Sequence, residues 1–269
     1  MIEVKKNIHC ILQARMSSTR LPGKILLSGY NKPLLLHTIE RIKKSKLIKD
    51  VIVATTNKKI DDIICQICQK YKISFFRGSS DDVLSRYFHC AKKFKTDVVV
   101  RITSDCPLID PLLIDKVIEI FMKKNKDIDY LSNLHPATFP DGFDIEVFNY
   151  LSLKKTYMNA KKKFQREHVT PYIWDNKNIF NIDNFKLTNR NYQNTHRLTL
   201  DYLDDYKLIW LIYKKLYPTK KFFNLNDILK VLKKNPNLLK INKKYIKVNW
   251  YSKYLNHLKT IKKNETKSI

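Results

Sequence analysis

LQARMSSTRLPGK, residues 12–24, grows out of the short apolar run 8–14 and packs two arginines, a lysine, three hydroxyl side chains and a Pro-Gly turn into the ten positions after Ala14. An apolar run of strand length followed by such a segment reads as a β-strand feeding an anion-binding loop. Composition sharpens that reading. The chain has only four glycines, and Gly23 sits here, where a backbone must turn tightly or approach a ligand. Lysine is the default cation: of 52 Lys and Arg residues nine are arginine, and Arg15 and Arg20 are two of them. Where lysine would serve for charge, arginine points to a need for the planar fork that grips phosphate or carboxylate at two points. The chain contains neither GxxxxGK[ST] nor GxGxxG, which excludes a P-loop kinase and a dinucleotide-binding dehydrogenase.

Outward from this stretch the first half alternates. Strand-like runs at 8–14, 51–54, 73–76 and 98–102 are followed by helical patterns at 34–44, 59–71, 82–94 and 112–123. Four strand-helix units in series predict an α/β fold with a mostly parallel sheet covered on both faces. Ser80 before Asp81 and Asp82, and Asp110 before Pro111, read as helix starts. After residue 125 the rhythm changes: 145–148, 179–182 and 197–200 read as isolated strands, some running antiparallel, with helices at 203–217 and 225–233. The reading is one catalytic domain over 1–235 and a basic extension over 236–269, partly packed and loose in its last ten residues.

The formal charge is +27, which ordinarily raises nucleic acid or an anionic membrane as a partner. Here the excess is lysine spread along a chain rich in Asn, Ile and Tyr, which reads as a solvated surface rather than a nucleic-acid face. Five cysteines and no leader fit reduced thiols in a cytoplasm. The Cys65/Cys68 pair lies within a helical pattern without a second pair to complete a zinc site, so it reads as core. No apolar run reaches the length of a membrane span.

RITSDCPLID, residues 101–110, closes the fourth strand. In an open α/β sheet that carboxyl end is where ligands bind. Asp105 stands just past the apolar strand, where a hard cation bridging to phosphate would explain an otherwise costly carboxylate. RLTLDYLDD, residues 197–205, offers Asp201 as a second carboxylate, whereas Asp204 and Asp205 suit the first turn of the next helix. Two aspartates from separate strand ends beside a basic loop form the arrangement of metal-assisted nucleotidyl transfer. Gln13 would read a base or cap the sheet. Gly142 in FPDGF fits either a turn or a functional contact, and His168 either a core histidine or a site residue.

Together with FRGSSDDVLSRY (76–87), FPDGFDIEVF (139–148) and QREHVTPYI (165–173), these segments resemble the cytidylyltransferases. They are most similar to the spore-coat polysaccharide branch, related to the synthetases of CMP-sialate and CMP-ketodeoxyoctonate, in family order over about residues 7–235. The resemblance implies a three-layer α/β/α, nucleotide-diphospho-sugar transferase-like (Rossmann-like) fold with a mixed, mostly parallel sheet. It implies CTP and a sugar as substrates, Mg2+ as cofactor, and a homodimer. It assigns Gln13, Ala14, Arg15, Ser18, Arg20, Lys24, Arg77, Ser79 and Thr103 to the nucleotide, with Arg15 and Lys24 on the triphosphate and catalytic, and gives the metal to Asp105 and Asp201. On the sugar side it places Asp144, Glu146, Gln165, Arg166 and His168, with Arg166 a bidentate partner for the carboxylate of an acidic sugar. Relatives carry proline and glutamate after the metal aspartate; Tyr202 and Leu203 stand there in this chain. The expected reaction is CMP transfer from CTP to a sugar hydroxyl with release of pyrophosphate, for surface polysaccharide or glycan biosynthesis. The competing readings are a glycosyltransferase of the same fold and a basic nucleic-acid-binding protein; the second leaves Asp105 and Asp201 without a role.

Overall fold

The computed structural model describes residues 6–124 and 127–246, with 248, 254, 257 and 258 singly. Its frame is a seven-stranded sheet of β1 (Ile8–Gln13), β2 (Asp50–Thr56), β3 (Ser74–Gly78), β4 (Val98–Thr103), β5 (Tyr130–Ser132), β6 (Glu146–Asn149) and β7 (Ile182–Asn184), in the order β3-β2-β1-β4-β6-β5-β7. All neighbouring strands pair in parallel except β6, which is antiparallel to both β4 and β5.

The helices are α1 (Leu34–Ile42), α2 (Asp62–Lys70), α3 (Val83–Lys93), α4 (Pro111–Lys123), α5 (Tyr150–Asn159), α6 (Lys163–His168), α7 (Pro171–Trp174), α8 (Leu203–Leu216) and α9 (Leu225–Lys234). Alternation along the strands divides them between two layers. Cys10, Leu12, Val51, Val53, Val98 and Val100 pack with apolar residues of α1, α2, α4, α8 and α9. Ile11, Ile52, Ala54 and Val99 face the opposite way, toward α3, α5, α6 and α7. Period-two side chains that are apolar on both faces are what a buried parallel strand requires, and the result is the expected three-layer sandwich. Cys65 and Cys68 are buried in it, and burial pushes the Cys68 thiol up to about 12, as suits a core residue. No helix among the described residues is long and apolar enough to cross a membrane.

The strand order positions the site. The chain moves from β1 outward through β2 and β3 and returns to place β4 on the other side of β1, so β1 and β4 flank the switch point, with Gln13 opposite Thr103. A crevice opens at the carboxyl ends of such a pair. Asp110 caps α4 by accepting from Leu112 N at 2.9 Å, and its other oxygen accepts from Leu225 N at 2.9 Å, tying α9 to α4. The α3 cap is Asp82, which accepts from Ser85 N, two residues beyond Ser80.

Three expectations need correction. Residues 197–200 do not join the sheet; they make one bridge, Arg197 with Asp141, because the segment crosses the carboxyl edge of β4, where Leu200 N donates to Asp105 O at 2.9 Å. The strand expected at 179–182 begins only at Ile182, after a turn closed by Ile179 N and Phe180 N on Asn176 O. Three helices, α5 to α7, fill 150–174, where the sequence reading left a long connection; α6 and α7 are too short to display a helical period. The last ten residues of the chain lie outside the described residues.

Candidate active site

The loop after β1 folds back on itself. Met16 O accepts from both Ser18 N (2.9 Å) and Gly23 N (3.0 Å), and Gly23 takes φ +67° to close the turn. Fully buried Asp61 anchors the loop from below, accepting from Met16 N at 2.7 Å and from the Thr56 hydroxyl. The turn delivers Lys24 into the crevice, 8 % exposed. Its Nζ donates to Asp105 Oδ2 at 3.2 Å, Asp201 Oδ1 at 2.9 Å and Leu200 O at 2.7 Å. Burial alone would lower the pKa of this ammonium; the two carboxylates outweigh it and hold the proton.

Asp105 and Asp201 therefore converge on one cation from different segments. Asp105 also accepts from the Thr103 hydroxyl. Asp201 takes Arg20 Nη2 on Oδ1 at 2.5 Å and Arg197 Nη2 on Oδ2 at 3.1 Å. Burial would push its carboxyl pKa up, but Lys24 and Arg20 hold it well below the usual carboxylate range. Arg197 is the hub behind this pair. Its guanidinium is buried and donates to Asp205 (3.0 and 3.2 Å), Asp141 (3.0 Å), Asp201 and the carbonyl of Val248 (3.3 Å). Gly142, at φ +100°, lets the 141–143 turn press on this segment: a Cβ there would lie 2.6 Å from the Leu198 carbonyl group and from Thr199 N.

The crevice is a cavity of about 640 Å³. Beside the anion loop, Arg101 of β4 pairs with Glu146 of β6 and donates to Gln13 Oε1 at 3.2 Å, while Tyr130 OH donates to Glu146 Oε2 at 2.9 Å. His168 also lines the cavity; burial first, then Arg101 and Arg15, pushes its pKa down to about 3, so the imidazole is neutral at physiological pH. Arg15, Arg20, Lys24, Arg86, Arg101 and Arg197 line the cavity together with Asp105, Asp141, Asp144, Glu146, Glu167 and Asp201, six charges of each sign.

Residues 9–244 match the family model described as Cytidylyltransferase. The chain belongs to the cytidylyltransferase family. An uncharacterised protein of Methanocaldococcus jannaschii is 42% identical over 236 residues, covering 86% of this chain and 93% of its own. The spore coat polysaccharide biosynthesis protein SpsF of Bacillus subtilis is 31% identical, over 86% of this chain and 95% of its own. A solved cytidylyltransferase from Leptospira borgpetersenii superposes with a TM-score of 0.83 at 36% identity, over 87% of this chain and 97% of that one. The 3-deoxy-manno-octulosonate cytidylyltransferase of Trichlorobacter lovleyi is 34% identical over 43% of this chain and 45% of its own.

Within this cytidylyltransferase the cavity gathers Gln13, Ala14, Arg15, Ser18, Arg20, Lys24, Thr103, Asp105, Asp144, Glu146, His168 and Asp201. Four residues assigned to the site from the sequence are not in its lining. Arg77 pairs with Asp62 at 2.7 Å and donates to the carbonyls of Thr56 and Lys58. Ser79 accepts from Asp81 N and Asp82 N ahead of α3. Gln165 closes the start of α6 by accepting from Lys162 N. Arg166 grips Asp82 at 2.5 and 2.8 Å and donates to the carbonyls of Tyr157 and Ala160, so it clamps α3 to the end of α5.

Sequence reasoning put the segments of Asp141 and Glu167 on the sugar side without giving either residue a role, and it did not place Arg86, Arg101 or Arg197 in the site, although each arginine's rarity was a signal. It also left Tyr202 unexplained. That ring stacks on Tyr245 at 3.9 Å and lies 5.7 Å under the Arg20 guanidinium. The C-terminal extension is thereby part of the site: Asn242, 1 % exposed, donates to Arg197 O and Asp205 Oδ1, and Val248 and Tyr254 line the cavity.

Proposed function

We propose that this cytidylyltransferase transfers CMP from CTP to the hydroxyl of an acidic sugar, releasing pyrophosphate, in the biosynthesis of a surface polysaccharide or glycan. The observation that carries the reading is the pair of carboxylates, Asp105 and Asp201, converging on Lys24 at the root of the anion loop, inside a cavity of about 640 Å³ that Arg101, Glu146 and His168 also line. The names of the relatives in spore coat polysaccharide and 3-deoxy-manno-octulosonate chemistry support a sugar, and the second of these sugars is an acid.

The residues fit a magnesium ion. Two carboxylate oxygens sharing one cation are the hard donors it takes from a protein, with phosphates and water completing the shell. Magnesium held by Asp105 and Asp201 would supply charge neutralisation on the phosphates. The chain's own groups do the rest. Lys24, Arg20 and Arg15 neutralise the triphosphate, the hydroxyls and amides of the loop orient it, and the remainder of the cavity holds the acceptor. The hydroxyl oxygen bonds to the α-phosphorus and gives up its proton, and the bond to the bridging oxygen breaks to release pyrophosphate.

Thermal unfolding with each nucleoside triphosphate and magnesium tests the donor. CTP at a hundred times its dissociation constant stabilises by about 2.7 kcal/mol, and ATP, GTP and UTP at the same concentration by far less. Equal stabilisation by all four would remove the reading.

A further inference from the structure

Of the six cationic side chains that reach the cavity, four already hold carboxylates: Arg101 holds Glu146, Arg197 holds Asp141, Asp201 and Asp205, and Arg20 and Lys24 share Asp201. Arg15 and Arg86 have no carboxylate within ion-pair distance among the described residues.

Arg15 is exposed, so water can solvate it. Arg86 is different. It projects from α3 and is only 2 % exposed. Its Nη1 donates to Ser79 O at 2.7 Å, and its Nε has no hydrogen-bond partner among the described residues. Burial works against its charge; Tyr87 and, less, Asp61 and Cys90 offset this from a distance, Arg15 adds to it, and the net effect lowers its pKa. A buried guanidinium without a counter-ion is costly, whereas an aliphatic side chain would fill the same space without that cost. A buried guanidinium with no carboxylate in ion-pair contact, at the wall of a cavity, is the arrangement of an anion seat.

We propose that Arg86, with Arg15 beside it, seats an oxyanion of the substrates: the triphosphate of CTP or the carboxylate of an acidic acceptor. The inference rests on the cytidylyl-transfer reading, which supplies both anions. It gives Arg86 the bidentate role that the sequence suggested for Arg166, whose guanidinium is occupied by Asp82.

Titration calorimetry on the full chain with magnesium tests it, using cytidine, CTP, pyrophosphate and 3-deoxy-manno-octulosonate as probes on the native protein and on Arg86→Gln. If the anion is the triphosphate, Arg86→Gln weakens CTP and pyrophosphate at least tenfold and leaves cytidine within twofold. If it is the acceptor carboxylate, CTP binding is kept, and the sugar acid binds the CTP-loaded variant at least tenfold more weakly than the native complex. Unchanged binding of all probes overturns the proposal, as does a parallel loss for cytidine and CTP. Should Arg86→Gln not fold, Arg86→Lys, which keeps the charge and loses the fork, decides by the same titrations, with a loss of threefold or more expected. A native protein that binds pyrophosphate but does not prefer CTP would remove the donor assignment and leave the Arg86 result readable through the pyrophosphate arm.

Discussion

Arg197→Met is the perturbation that probes the architecture of the site most deeply. The guanidinium is 1 % exposed and binds three carboxylates, of which Asp205 is fully buried. Methionine fills much of the volume and removes the charge. Asp201 then keeps Lys24 and Arg20, and Asp141 is partly solvated. Asp205 loses both guanidinium bonds but keeps donors from Asp201 N, Tyr202 N and Asn242 Nδ2. Breaking a buried ion pair from one side costs about 3–5 kcal/mol, and the three surviving donors place this case near the lower figure. At roughly 2–4 °C per kcal/mol for a chain of this size, the midpoint should fall by about 6–12 °C, read by circular dichroism in thermal and urea unfolding of the full chain. Adding Asp205→Leu should recover part of the loss, because the stranded carboxylate is then gone. A loss under about 1 kcal/mol for Arg197→Met, the range of an exposed pair, would refute the view that this residue ties Asp141, Asp201 and Asp205 together.

Asp105→Asn should cut pyrophosphate release roughly 100-fold or more, the scale of losing one group that stabilises transition-state charge, while stability changes by about 1 kcal/mol or less because the carboxylate is partly solvated; near-normal turnover would remove Asp105 from the chemistry. Gly142→Ala should destabilise by about 1–3 kcal/mol, since neither φ +100° nor the 2.6 Å contact with the Leu198 backbone admits a Cβ; an unchanged urea midpoint would contradict that. His168 is depressed to about 3 by burial, then by Arg101 and Arg15, so between that value and about 6.5 the unfolded state binds a proton that the folded state does not. Stability contributed by this residue is complete above pH 6.5 and is lost as the pH falls, and His168→Gln should flatten urea midpoints between pH 4 and 6.5; an unchanged slope would show that His168 is not the group responsible.

The central sheet was legible because β1 and β4 are buried on both faces and read as near-continuous apolar runs. The loop was legible through the density of its cations, and Asp105 because a carboxylate at the end of an apolar strand needs a partner; Asp201 drew the same reading, although 197–200 crosses the edge of the sheet instead of joining it. Arg77, Ser79 and Arg166 lie outside the cavity lining, and their signal in the sequence is ambiguous for a physical reason: clamping a helix start and gripping a ligand call for the same side chains. Asp82 shows the overlap, capping α3 through one oxygen and holding Arg166 through the other. The Arg197 hub stayed hidden because its partners Asp141 and Asn242 come together only through the Gly142 turn and the folding back of the extension. Tyr202 lacked a visible reason because Tyr245, the ring it stacks on, lies 43 positions further along the chain, outside any local pattern.

Pyrophosphate release by the full chain with magnesium, CTP and a panel of sugar acids and neutral sugars, each reaction followed by mass spectrometry of the product, tests the central claim most directly. Release is expected only when CTP and an acceptor are both present, one pyrophosphate for each CMP-sugar formed, with a sugar acid as the productive partner. Release that proceeds equally with UTP or ATP, or CTP breakdown that yields no CMP-sugar with any acceptor, would contradict it.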